Sequence, residues 1–284
     1  MDQTLSSVLP FFSFWFGACI ASFLNVVIWR VPRGESIVSP PSHCPNCQSA
    51  IRWYQNIPIL SWLGLRGKCA NCKAPISPRY ILVETLGGLL FAAAAMKVFG
   101  CRAHFNPWML WYLLMLWTWI ALMIVGSFID FDHKLLPDFV TVGGMVLGLV
   151  FHLGLCAINV WDFGWTIRSF GPLAHAVSGL AVGYGLFWLI RSLGSKAFKR
   201  EAMGEGDVYL MGAVGALFGP VAVLVTLILS SVFGSFVGLG FVALSKTRFG
   251  KFLEIPYGPY ICMGCLVWMF YGPELVRWYL TLLK

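Results

Sequence analysis

Asp207 closes the run Gly204-Glu205-Gly206-Asp207 directly ahead of an apolar stretch from Val208 to Leu244. Asp130 closes a second apolar run, Trp108 to Ile129, which holds 22 residues without a charge. Carboxylates are costly near hydrocarbon, so acids in such positions are functional candidates. Two carboxyls sharing one water can divide acid–base work: the ionised one draws a proton from water and the protonated one polarises a carbonyl. Like charges at close range keep one proton between them, and their apparent pKa values then belong to the pair. The chemistry this predicts is hydrolysis by a catalytic aspartate dyad, with no covalent intermediate.

Gly204 and Gly206 leave the backbone free to bend and approach a substrate where a helix begins. Gly-x-Gly-Asp alone also describes a flexible loop whose aspartate caps the next helix. Asp130, one residue after an uncharged run, favours the dyad. Its neighbours Asp132 and Asp138 read as solvated or capping residues and His133 as a loop histidine, with a general base as its alternative, while Glu205 competes with Asp207 on spacing alone. Glu84, near the start of the second span, is a further buried-acid candidate, or a boundary carboxylate at a helix amino end.

Cys44-Pro45-Asn46-Cys47 and Cys69-Ala70-Asn71-Cys72 form two Cys-x-x-Cys knuckles separated by 21 residues, in the one polar insert large enough to fold, residues 30–79. Each knuckle presents two sulfurs to one ion, the pattern of a tetrahedral thiolate zinc site. Two disulfides or a redox pair are the alternatives, and the reducing cytoplasm disfavours them. An insert of about 50 residues has too little core to fold on its own, so the metal would supply much of its folding free energy. Cys19, Cys101, Cys156, Cys262 and Cys265 lie in or beside apolar runs and read as small hydrophobes.

The elements that must position these groups are membrane helices. The chain is 58% hydrophobic and 11% charged, against about 45–50% and 25% in soluble domains. The fold class expected is all-α and polytopic, with about eight spans near 8–29, 80–100, 108–130, 139–160, 172–193, 208–219, 221–245 and 256–281. The segment 208–219 is short and ends at Gly219-Pro220. It reads as a span joined to the next by a tight turn, with a re-entrant helix as the alternative. The first run has no preceding Lys or Arg and no small-residue cleavage pattern, so it reads as a span and not a signal. Of the 20 Lys and Arg, 15 fall in 30–79, 130–138, 191–207 and 246–254. Positive charge marks the cytoplasmic side, which places both aspartates there and both termini outside. The net charge of +8 follows from this bias and requires no nucleic acid.

Several motifs in order resemble the type IV prepilin peptidases, also called leader peptidase and N-methyltransferase enzymes. They are Ala21-Ser22-Phe23-Leu24-Asn25-Val26-Val27-Ile28 with Arg30-Val31-Pro32, the cysteine tetrad, Asn56-Ile57-Pro58-Ile59-Leu60-Ser61, and Ile76-Ser77-Pro78-Arg79-Tyr80 with Glu84. The second half adds Ile129-Asp130 through Leu136-Pro137-Asp138, Met203-Gly204-Glu205-Gly206-Asp207, and Ile255-Pro256-Tyr257-Gly258-Pro259. The resemblance implies an inner-membrane GxGD-type aspartic protease with Asp130 and Asp207 as its catalytic pair. It also implies methylation of the new amino terminus with S-adenosylmethionine, and prepilins or pseudopilins as substrates. Residues 1–100 would hold the first spans, the zinc loop and the methyltransferase region, and 101–284 a six-helix peptidase domain. The chain departs from the family at Ala21, commonly Gly, and at Tyr209, often Lys. The stretch between the aspartates, with Trp161-Asp162-Phe163-Gly164, is longer than expected. A transporter or membrane scaffold in which Asp130 and Asp207 relay protons or bind a cation, and an intramembrane protease of other substrate range, are the competing classes. The first would want acids facing each other at mid-depth, and the second has no need of a cysteine loop. No Gly-rich loop follows a strand and opens a helix, so the methyl-donor pocket has no motif to mark it.

Overall fold

The computed structural model describes residues 3–100, 106–158, 171–201, 203–245 and 256–283, almost wholly as helices. Cys101, Arg102, Trp161-Asp162-Phe163-Gly164, Arg168, the basic segment 246–254 and Ile255 lie outside the described residues. The chain forms two compact units, Met1–Val125 and Gly126–Lys284.

In the first unit, α1 (Gln3–Arg30) and α3 (Arg79–Phe99) form an antiparallel pair. The chain between them carries two single-turn 3-10 helices, Val31–Arg33 and Trp53–Gln55, and the short α2 (Leu60–Gly64). The long helices meet closely because Gly87 has no side chain: a Cβ there would stand 2.5 Å from Ala21 Cβ. Small residues at a contact are how apolar helices gain packing where lipid offers no hydrophobic drive. Further along, Phe91 stacks on Trp117 of α4 (Pro107–His133) with ring centroids 5.2 Å apart, and the Trp117 indole N–H donates to Phe91 O at 3.1 Å. Two isolated bridges, His43↔Ala50 and Lys68↔Pro75, are the β-type pairings among the described residues.

The second unit holds the end of α4 with α5 (Asp138–Ala157), α6 (Gly171–Phe198), α7 (Glu205–Ser245) and α8 (Gly258–Leu282). The 41 residues of α7 do not run straight. Gly219 is non-helical at φ 83° and ψ 179°, Pro220 follows it, and the His175 ring fills the space a Cβ at Gly219 would need. A straight helix would put residues 207 and 230 about 35 Å apart at 1.5 Å per residue. Instead Gly206 packs on Leu136, Leu136 also reaches Gly258, and Tyr257 hydroxyl lies 2.7 Å from Ser230 Oγ. The chain therefore reverses at Gly219-Pro220, as the tight-turn reading expects, and brings both arms of α7 back to the end where Asp130 sits.

Six helices are long and apolar enough to cross a membrane, which makes this a multi-pass membrane protein: α1 and α3 to α7. Among the described residues these six do not confirm the expected count of eight, and two segments account for the difference. Residues 205–218 form only the short arm of the α7 hairpin, about 21 Å at helical rise, against a hydrocarbon core of about 30 Å. Helix α8 has the length, but Pro273, Glu274 and Arg277 dilute its apolar character.

Candidate active site and metal centre

Asp130 lies in the last turn of α4 and Asp207 in the first turn of α7, with exposures of only 6% and 8%. Pro137 ends the polar turn after Asp130 and opens α5, which sets Leu136 as a wedge at this end of the unit. A Cβ added at Gly206 would stand 2.7 Å from Leu136 Cβ, and one at Gly258 would stand 3.3 Å from Leu136 Cδ1. Three helix ends thus close on one leucine. Asp130 Oδ2 accepts the backbone N–H of Gly258 at 3.0 Å, and Asp207 accepts a backbone hydrogen bond from Gly204. Asp207 lies within electrostatic range of Asp130.

The other acids of the region stand apart. Glu205 is 67% exposed and pairs with Arg191 at 2.9 Å, a surface ion pair at the foot of α6. Asp132, His133 and Asp138 are exposed. Buried Cys262 lies within electrostatic range of both aspartates, and its neighbour Cys265 is buried as well. The partner that sequence reasoning missed is the Gly258 N–H. Its signal was present in the motif Pro256-Tyr257-Gly258-Pro259, but nothing in the spacing says that this loop returns to Asp130.

Gly258 has no room for a side chain: a Cβ would come 2.7 Å from Asp130 Oδ2. Gly258→Ala is expected to push the carboxylate off its N–H and to slow any hydrolysis it serves about 100-fold, the scale of an ångström's misplacement. Hydrolysis rates on protein with an unchanged circular dichroism spectrum check this.

The four knuckle cysteines converge in the first unit. Their sulfurs all lie within 4.8 Å of one another, with Cys44 Sγ and Cys72 Sγ 3.8 Å apart. A tetrahedral ion with metal–sulfur bonds of about 2.3 Å needs its sulfurs about 3.8 Å apart. The cluster could hold a metal ion. The knuckles are near copies. Gln48 N donates to Cys44 O and Lys73 N to Cys69 O, at 2.9 and 3.1 Å, and both donors sit at positive φ. Asn46 Nδ2 reaches across to Cys72 Sγ at 3.6 Å, and Asn71 Nδ2 to Cys47 Sγ at 3.7 Å. Ser49 hydroxyl lies 3.0 Å from Cys47 Sγ; with the Ser49 N–H it draws the Cys47 thiol down to about 6. Backbone N–H groups of Cys72 and Asn71 lower Cys69. Donors aimed at sulfur favour the thiolate, the form that binds metal. Arg30, buried at the end of α1, anchors the insert by donating to Ser36 O and Pro40 O, each at 2.8 Å.

A family model described as Bacterial Peptidase A24 N-terminal domain matches residues 15–98, and one described as Type IV leader peptidase family matches residues 117–239. A Myxococcus xanthus protein named "Prepilin leader peptidase/N-methyltransferase" is 42% identical over 80% of this chain and 62% of its own length, so the match spans about three fifths of that relative. An Aeromonas hydrophila protein of the same name is 37% identical over 94% of this chain and 92% of its own. An Escherichia coli protein named "Type 4 prepilin-like proteins leader peptide-processing enzyme" is 34% identical over 92% and 94%. No solved structure matches. On matches of this identity and coverage, the chain belongs to the type IV leader peptidase family.

Proposed function

We propose that this chain cleaves the leader from type IV prepilins or pseudopilins with Asp130 and Asp207, at the cytoplasmic face of a bacterial inner membrane, and then N-methylates the new amino terminus. The observation that carries the reading is the convergence of two buried aspartates from separate helices at one end of their unit, each held by a backbone N–H. One carboxylate, ionised, takes a proton from water as the oxygen attacks the scissile carbonyl. The other, protonated, gives its proton to the carbonyl oxygen; the first then delivers the proton taken from water to the leaving amine, and the second recovers its proton from the tetrahedral hydroxyl as the carbonyl re-forms. Gly258 N–H fixes the Asp130 carboxylate so that neither oxygen has to reorganise during attack. The distribution of Lys and Arg supports cytoplasmic placement, where a basic leader is exposed while its apolar helix sits in the bilayer.

Residues 1–100 are the methyltransferase region in this reading and 101–284 the peptidase. Cys44, Cys47, Cys69 and Cys72 hold a structural zinc, which when bound fastens the two knuckles and supplies no reacting group. Asn46 and Asn71 steady the opposite knuckle's sulfur, and replacing either by alanine should weaken zinc about tenfold, the low end of outer-shell effects. Competition with a chromophoric chelator measures it. S-adenosylmethionine supplies an electrophilic methyl group. No residue holds it by motif, since the described residues contain no strand and the sequence no Gly-rich loop that follows a strand and opens a helix. The test is mass spectrometry of the mature product released from a prepilin in liposomes, with and without the methyl donor. Cleaved product that gains one methyl only when donor is present supports the reading. Cleavage without any methyl gain confines the chain to the peptidase.

A further inference from the structure

Glu84 is a buried carboxylate that the dyad does not use. It lies five residues into α3, where it is 8% exposed. Its Oε2 accepts the backbone N–H of Ile59 at 2.7 Å, and Ser22 of α1 supplies a side-chain hydrogen bond. Among the described residues, no cation is among the charges acting on it. Two neutral donors do not repay the desolvation of an ionised carboxylate; buried charges are ordinarily paired with an opposite charge. A glutamine of the same shape would accept the Ile59 N–H just as well, so the local hydrogen bonding gives no reason for an acid here.

The surroundings show where a cation would come from. Ile59 holds a positive φ of 63° with ψ −54°, the centre of a tight γ-turn that β-branched residues adopt at a cost, and strained backbone of this kind gathers at functional sites. Asn25, buried on the facing helix three residues after Ser22, donates Nδ2 to Tyr80 O. This polar cluster sits at the end of the α1–α3 pair that leads into the cysteine insert. Between residues 3 and 125 the chain has two carboxyl side chains, Glu35 and Glu84, and Glu35 is exposed. Methylation of an amine requires that a proton leave the ammonium first, and a partly enclosed carboxylate without a cation is the complementary partner.

We propose that Glu84 is the counter-ion and proton acceptor for the substrate's newly exposed α-ammonium group. The assignment rests on the reading of residues 1–100 as the methyltransferase region. In the step, one N–H bond of the ammonium breaks, its electron pair stays on nitrogen, and the proton forms an O–H bond on Glu84. The neutral amine is then the nucleophile that the methyl donor consumes.

Glu84→Gln separates charge from hydrogen bonding, because the amide oxygen still accepts from Ile59. Two readouts test it. The first needs no methyl donor: binding of a short apolar peptide with a free amino terminus, compared with its N-acetylated twin. Glu84→Gln is expected to weaken the free-amine peptide at least tenfold and leave the acetylated one unchanged. The second is methylation against pH. The variant should fall about 100-fold at neutral pH, within the range of general-base effects. It should recover as pH rises past about 8, where an α-amine loses its proton unaided. Zinc content and leader release are followed in parallel, with Cys72→Ser as a control. Wild-type methylation and peptide discrimination in Glu84→Gln, while Cys72→Ser is methylation-dead, overturn the assignment and leave the methyltransferase reading standing. Loss of methylation with loss of zinc, or without alkaline recovery, also overturns it and makes Glu84 a structural clamp. A wild type that cleaves and never methylates overturns the broader reading and the assignment with it.

Discussion

Asp130→Asn and Asp207→Asn are each expected to slow leader release about a thousandfold or more, within the range seen when a positioned acid or base is removed. Asparagine keeps the size of the side chain and an oxygen to accept the backbone N–H of Gly258 at position 130 or of Gly204 at position 207, so the helix ends should stay in place. What it removes is the ability to take or give a proton. The loss should therefore fall on kcat, with KM nearly unchanged, because the interaction lost is made in the transition state. Steady-state rates of leader release from a reconstituted prepilin decide this. Glu205→Gln is the matched control. Its carboxylate is 67% exposed and paired with Arg191, and surface pairs of this kind contribute about 0–1 kcal/mol. Leader release in that variant should stay within about fivefold of wild type, which is the kinetic equivalent of the upper end of that small energy.

Cys72→Ser should have the other large effect. Apparent zinc-binding free energies in small thiolate domains are about 10–16 kcal/mol, and in such domains they serve as folding free energy. The insert is held to the helices by Arg30 at its amino-terminal side and by the Ile59–Glu84 hydrogen bond at its middle. Neither contact fixes the knuckles themselves. Loss of one sulfur should release the metal, expose residues 44–72 to limited proteolysis, and abolish methylation. Leader release should persist within a few-fold, because the aspartates and their backbone donors lie in a unit with its own buried core. Metal content, protease sensitivity and both activities are measured on the same preparation. Equal loss of cleavage and methylation at normal protein levels would count against the division of labour.

Much of the architecture was legible because local chemistry wrote it. Uncharged runs named the long helices, Gly219-Pro220 named a reversal, and two Cys-x-x-Cys knuckles named a cluster whose sulfurs do meet. The span count was less legible. Hydropathy cannot tell a full crossing from a short hairpin arm, and α8 mixes apolar residues with Pro273, Glu274 and Arg277. At the candidate site, the two aspartates stood out as acids at the ends of apolar runs. Gly258 N–H did not, since a backbone donor 128 positions away from Asp130 leaves no trace in spacing. Asn46 and Asn71 were visible only as the shared Asn inside each knuckle. Their crossing from one knuckle to the other appears only when both are folded around a common centre.

The most direct measurement is leader release from one prepilin in liposomes by wild-type, Asp130→Asn and Asp207→Asn proteins purified side by side and matched for helix content and zinc. Release by the wild type and none above background by either variant is the expected result. Undiminished release by a folded Asp130→Asn or Asp207→Asn protein would remove that aspartate from the chemistry and contradict the dyad.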